Sequence, residues 1–195
     1  MSSFKQTLFL IPVPIHDESI DAIPSETKDI LETITYFAVE NLKTARRMLR
    51  KMGYRLNFDT DVQFFELDKH TSTQDYSIIK QWFSQGNSIG VMSEAGLPCI
   101  ADPGNEIVAL AHQYNYIIKP LSGPSSIILA LIASGFNGQN FAFNGYLPVD
   151  RVERISKLRQ LEQRAMTEYQ TQIFMETPYR NNSILEDIIQ TLKPS

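Results

Sequence analysis

A chain of 195 residues, 43% apolar and 21% charged, has an ordinary globular composition and suffices for one large domain or two small ones. A net charge of −4 excludes an indiscriminate nucleic-acid coat, and no apolar run approaches the roughly 20 residues that cross a bilayer as a helix. The single cysteine, Cys99, excludes an internal disulfide and points to a reducing, cytoplasmic setting, while His16, His70 and His112 are too scattered to suggest a metal site.

Thr7–Val13 reads as a buried strand stopped by Pro12 and Pro14. Ser25–Thr33 reads as a helix with Ser25 in the capping position. Tyr36–Val39 is a short apolar strand ending at Glu40, and Asn41–Met52 is a helix closed by Gly53. Residues 43–55 hold six of the eighteen basic residues and no acid. This run is either a solvated helix face or a guide for a phosphate backbone. Val62–Leu67 is strand-like, and Asp75–Gln85 is a helix ending at Gly86. Strand 88–92, helix 105–114 and strand 115–121 follow. The beat of apolar strands and helices predicts an α/β fold whose sheet is mostly parallel and covered on both faces.

Two loops stand out because ligands of such sheets sit at the carboxyl ends of the strands. Ser93–Gly104 reads SEAGLPCIADPG. Ser122–Ser126 reads SGPSS and leads into an apolar helix. Neither is a Walker loop or a G-x-G-x-x-G loop. Taken alone, each reads equally well as a ligand cradle or as a plain strand-to-helix turn. Downstream come strand Phe141–Tyr146, the polar helix 151–168, strand Thr171–Met175, the loop Glu176–Arg180 and helix 181–192.

The ordered motifs SEAGLPCIADPG, SGPSS, FNGYLP (Phe143–Pro148), FMETPYR (Phe174–Arg180), ENLKTARRML (Glu40–Leu49) and VPIHDES (Val13–Ser19) resemble one family. It is the tetrapyrrole-methylase-fold (class III) S-adenosylmethionine-dependent methyltransferases, in particular the branch that methylates cytidine 2′-O in bacterial 16S rRNA. The resemblance implies two αβα domains, 1–120 and 121–195, with the cofactor cleft between them. Family members run on into further C-terminal strands, so the second domain is expected to be incomplete. A homodimer is implied too. The departures lie at the first loop, where His16 and Asp17 replace glycine and asparagine, and at Asn41, Lys43 and Glu94.

The resemblance implies S-adenosylmethionine contacts at Glu94, Ala95, Gly96, Pro98, Ile100, Asp102 and Gly104, at Gly123, Ser125 and Ser126, and at Glu176 and Thr177. The chemistry suits these residues. Glycines let backbone approach the donor closely, and Pro98, Pro103 and Pro124 limit the freedom lost on binding. Asp102 and Glu94 serve equally as turn and cap residues. His16 reads either as a surface or core histidine or as a proton acceptor for a hydroxyl. Glu40, Glu176 and Arg180 fall at strand ends, where they either orient substrate or cap helices; His16, Glu40 and Arg180 are the catalytic candidates. Cys99 has no histidine near it in the sequence and reads as packing. The expected partner is small-subunit RNA, through Lys43, Arg46, Arg47, Arg50 and Lys51. A tetrapyrrole substrate and a non-catalytic cofactor- or RNA-binding module are the alternatives.

Overall fold

The structure, a computed structural model, describes residues 6–67 and 74–194, so His70 lies outside the described residues. The chain forms two compact units, Met1–Ser126 and Ile127–Ser195. The division falls after Ser126 rather than after residue 120, because the turn at Gly123 packs on Pro12 and Leu97 of the first unit.

The first unit holds β1 (Thr7–Ile11), α1 (Ser25–Leu31), β2 (Tyr36–Val39), α2 (Leu42–Lys51), β3 (Gln63–Glu66), α3 (Ser77–Ser84), β4 (Ile89–Met92), α4 (Asn105–Gln113) and β5 (Ile117–Pro120). Its five strands form one sheet in the order β3-β2-β4-β1-β5, and every pairing is parallel. Alternation along the strands gives the sheet two buried faces. Phe9, Ile11, Phe37 and Val39 join Ile30 and Leu31 of α1 and Met48 and Leu49 of α2 in one core. Leu8, Ala38, Ile89 and Val91 join Trp82 and Phe83 of α3 and Ile107 and Ala111 of α4 in the other.

Three helices stop in the same way. After α2, Gly53 (φ 93°) donates to the Arg50 carbonyl and Tyr54 to that of Leu49. Gly86 and Asn87 repeat this pair of bonds after α3, and Asn115 and Tyr116 after α4. Each is a Schellman stop, which needs a residue tolerant of the left-handed region. Gly53 and Gly86 were legible as stops for that reason. At α1 the outcome differs. Pro24 stands at the N-cap without a side-chain bond, and Ser25 is the first helical residue rather than the cap. A 3-10 turn at Ile20–Ala22 also lies in a stretch with no periodic signal.

The second unit holds α5 (Ser126–Ser134, whose first residue closes the first unit), β6 (Phe141–Tyr146), α6 (Arg151–Glu168), β7 (Thr171–Met175) and α7 (Asn181–Thr191). β6 and β7 pair in parallel as a two-stranded sheet, with an irregularity between Phe143 and Tyr146. Asp150 caps α6 by accepting from the Val152 and Glu153 amides. The core here is thin: Leu147, Leu158, Leu161 and Ile184, with Phe174, Ile188 and Leu192 half-buried around them. An open, mostly apolar pocket of about 560 Å³, lined by Phe136, Leu158, Leu161, Phe174 and Leu192 among others, lies beside this core.

Candidate functional site

The carboxyl ends of β2, β4, β1 and β5 lie side by side in the sheet, and the loops that leave them are joined to one another. Val13, just past β1, exchanges both backbone hydrogen bonds with Gly96, at 2.9 and 3.1 Å. Gly123, past β5, has no room for a side chain, since a Cβ there would lie 2.1 Å from Cβ and 2.6 Å from Cγ of Pro12. A Cβ at Gly96 would meet the Pro124 carbonyl at 3.5 Å. Glycine is thus required at 123 for space and at 96 for its φ of 72°. Past β2, Glu40 reaches the same loop, its Oε2 accepting the Glu94 amide at 2.8 Å.

The 93–104 loop carries backbone strain. Cys99 (φ 67°) and Ala101 (φ 60°) both adopt the left-handed conformation, and Gly104 takes φ 129° at the start of α4. Each non-glycine residue there costs about 1–2 kcal/mol, an expense typical of functional loops. The thiol of Cys99 packs on the bare Gly104: a Cβ at 104 would come within 3.0 Å of its Sγ. Burial, then the Asp102 and Glu106 charges, push the thiol up to about 11. At neutral pH it is a protonated packing group with no nucleophilic role. Ala95 and Ile100 are exposed on this loop, as are Glu94 and Ala101. The result is a rigid, largely backbone-lined surface shared by three loops. Such a surface fits a flat, polar-edged ligand better than a metal, and no cluster of potential metal ligands occurs among the described residues.

No family model matches the chain. Ribosomal RNA small subunit methyltransferase I of Vibrio cholerae is 30% identical over 185 residues, covering 95% of this chain and 60% of that protein. The protein of the same name from Bacillus subtilis is 32% identical over 193 residues, covering 95% and 59%. Among solved structures, the methyltransferase CobJ matches with a TM-score of 0.59 at 16% identity, over 96% of this chain and 76% of that one. The chain is similar to these ribosomal RNA small subunit methyltransferases along almost all of its own length and has the tetrapyrrole-methylase fold. It spans about 60% of the length of the curated relatives it matches.

The basic run on α2 is more occupied than its sequence suggests. Arg50 lies 3.9 Å over the Phe58 ring and donates to the Tyr54 and Leu56 carbonyls. Arg46 pairs with Asp59 at 3.2 Å and faces Phe58 and Phe64. Arg47 and Lys51 both hold Asp17, at 2.8 and 3.3 Å, and so tie α2 to the loop after β1. Among the described residues, Lys43 is the exposed cation of the run with no ion-pair or hydrogen-bond partner. His16, in that loop, is exposed and accepts the Glu18 amide at Nδ1, a long bond of 3.4 Å.

In the second unit, Glu176, Thr177 and Arg180 form a cluster of their own. Glu176 Oε1 accepts from the Thr177 amide and hydroxyl, and Oε2 pairs with Arg180 at 3.1 Å. Arg180 in turn donates to the Leu147 and Pro148 carbonyls. Arg154, buried against Asp187 at 2.7 Å, donates to the carbonyls of Pro148 and Val149. Hydrogen bonds from Arg151 and Arg154 hold the Asp187 carboxyl below its usual range despite burial. Two guanidiniums therefore fasten the turn 147–149. The role of Arg154 and Asp187 was invisible in the sequence because the two stand 33 positions apart on different helices. Pro12 and Thr44 were missed as well, since nothing local marks a residue whose partner is 50 or more positions away.

Proposed function

We propose that the chain carries the cofactor-binding part of an S-adenosylmethionine-dependent methyltransferase acting on the ribose 2′-hydroxyl of small-subunit ribosomal RNA. The observation that carries this reading is the joined set of loops at the carboxyl ends of β1, β4 and β5, locked at Val13–Gly96 and Gly123–Pro12 and strained at Cys99 and Ala101. Relatives named for ribosomal RNA methylation over 95% of the chain support the substrate class. In the same reading the protein works in the cytoplasm as a homodimer.

The residues fit the cofactor. Glu94, Ala95, Ile100 and Ala101 are exposed on the loop, where an adenine edge or a ribose would lie, with Pro98 in the stretch between them. Gly123 brings the next loop close, and Ser125 and Ser126 open α5 with amides free for a carboxylate. Bound S-adenosylmethionine supplies a sulfonium-borne methyl group. The chain's own part is to hold donor and hydroxyl in line and to exclude water. Most of the loops' ordering cost is met before binding, because each loop is already bonded to its neighbour. Glu40 and Arg180 each turn polar atoms onto backbone groups, which leaves His16, exposed beside the loop after β1, as the candidate to move the hydroxyl proton.

The test is to incubate the protein with tritiated S-adenosylmethionine and unmodified small ribosomal subunits. Alkaline hydrolysis should leave the label in resistant dinucleotides, because a 2′-O-methyl group blocks strand cleavage at that sugar. Label in alkali-labile mononucleotides would place the methyl on a base and sink the ribose assignment. Binding of S-adenosylhomocysteine without any transfer would favour the non-catalytic alternative. The tetrapyrrole alternative rests on fold likeness alone.

A further inference from the structure

Glu40 is a carboxylate in an unusual place. It follows the last residue of β2, is 7% exposed, and its amide continues the ladder by donating to Met92 at the end of β4. Its Oε2 accepts the amide of Glu94, where the chain leaves β4 for the 93–104 loop. Two residues on, Gly96 is fixed by Val13. Between these two posts, Ser93 Oγ donates to the Ala95 carbonyl at 3.2 Å, closing the turn on itself. The side chain of Glu94 is held too, Oε1 accepting from Thr44 Oγ1 at 3.3 Å. Thr44 lies in the first turn of α2. That turn is capped by Asn41 Oδ1, which accepts the Thr44 amide, and by Glu66 Oε1, which accepts the Leu42 amide.

We infer that Glu40 is a positioning residue for the ligand loop: it acts through the Glu94 amide to set the 93–96 turn in its binding conformation, with Thr44 as the weaker second tie. This rests on the reading of that loop as the cofactor loop. A buried carboxylate is costly to desolvate and is kept where it satisfies a donor that would otherwise have none nearby. A charge-assisted bond to a backbone amide is stronger than a neutral one and holds the chain itself rather than a side chain. The exposed residues Glu94 and Ala95 are thereby held in place from the buried side. Glu40 thus shapes the site without touching the reacting atoms.

The experiment compares Glu40→Gln, Glu40→Met and Thr44→Val in the full chain, alongside the unmodified protein. S-adenosylhomocysteine affinity is read by calorimetry and amide exchange by NMR. Glutamine keeps an acceptor and methionine keeps only the volume. Affinity should stay within about threefold for Gln and fall about tenfold for Met, the size of one charge-assisted hydrogen bond. Thr44→Val should fall between wild type and Met. The Glu94 amide should exchange slowly in the unmodified protein, and faster in Glu40→Met if that variant folds. A fast-exchanging Glu94 amide in the unmodified protein overturns the proposal whatever the variants do. So does a folded Glu40→Met that binds at full strength. Equal loss in Gln and Met would show that the charge meets the ligand directly. If the unmodified protein does not bind S-adenosylhomocysteine, the cofactor reading itself falls, and this inference with it.

Discussion

Gly123 and Gly53 are both glycines in turns, yet they are glycine for different reasons. Gly53 has φ 93° and open space around it, so only its conformation requires glycine. Gly123 has no such φ but faces Pro12, a ring that cannot rotate away. Gly53→Ala should therefore cost about 1–2 kcal/mol by urea denaturation and leave S-adenosylhomocysteine affinity unchanged. Gly123→Ala should cost about 1–3 kcal/mol from overpacking and also weaken binding, because the Pro12 and Gly123 loops must separate. Equal affinity losses in the two variants would show that the loop junction has no special role. The sequence announced both as turn glycines. It could not tell conformation from space, because space is set by a residue more than a hundred positions away.

At the scale of elements, α2 is the clearest case of a motif with two jobs. The run of cations looked uniform, but Arg46 and Arg50 face rings and carbonyls of residues 54–64, while Lys43 is exposed at the other end. Lys43→Ala should leave the thermal midpoint unchanged, weaken RNA binding and flatten its salt dependence by about one unit of slope. Arg50→Ala should lower stability by roughly 1–3 kcal/mol, since it loses a cation–π contact and bonds to two carbonyls. The opposite pattern in denaturation and salt titrations would assign the RNA contact to Arg50. In the second unit, Asp187 joins α7 to α6 through Arg151 and Arg154. Asp187→Asn strands a buried guanidinium and should cost roughly 3–5 kcal/mol near neutral pH. Because the folded carboxyl titrates below the ordinary 3.8, its contribution is full above that pH and is lost as pH falls through the folded value. The variant should therefore show a flatter acid limb than wild type in melts taken from pH 5 down to about pH 2. Parallel acid limbs would mean that the pair adds nothing to folding.

At the scale of the whole molecule, the two units differ in how well they can stand alone. The first has five parallel strands and a core on each face of the sheet. The second has two strands and, among the described residues, a core cluster of four buried apolar side chains. Many large apolar residues of the second unit are exposed, Ile132, Phe136 and Ile189 among them. Residues 1–126 expressed alone should unfold in one cooperative transition with a midpoint close to that of the first unit in the full chain, by circular dichroism and calorimetry. Residues 127–195 alone should show no such transition, as a domain this small rarely buries enough apolar surface. A fragment 1–126 that is molten would show that its two cores are not self-sufficient.

What the sequence determined by itself was local and periodic. Apolar runs of four or five residues gave the strands, and glycines tolerant of the left-handed region gave the stops of α2 and α3. The order of the motifs pointed to the fold, because each motif marks a strand end. Tertiary structure alone decided which strand ends are neighbours. The order β3-β2-β4-β1-β5 sets Glu40 beside Glu94 and Val13 beside Gly96, pairs 54 and 83 positions apart. In the second unit, the fold likewise sets Arg180 against the Leu147 and Pro148 carbonyls. Hydrogen bonds and steric fit act over a few ångströms, so the role of a polar side chain depends on what the fold brings within that reach, and no local pattern carries that information.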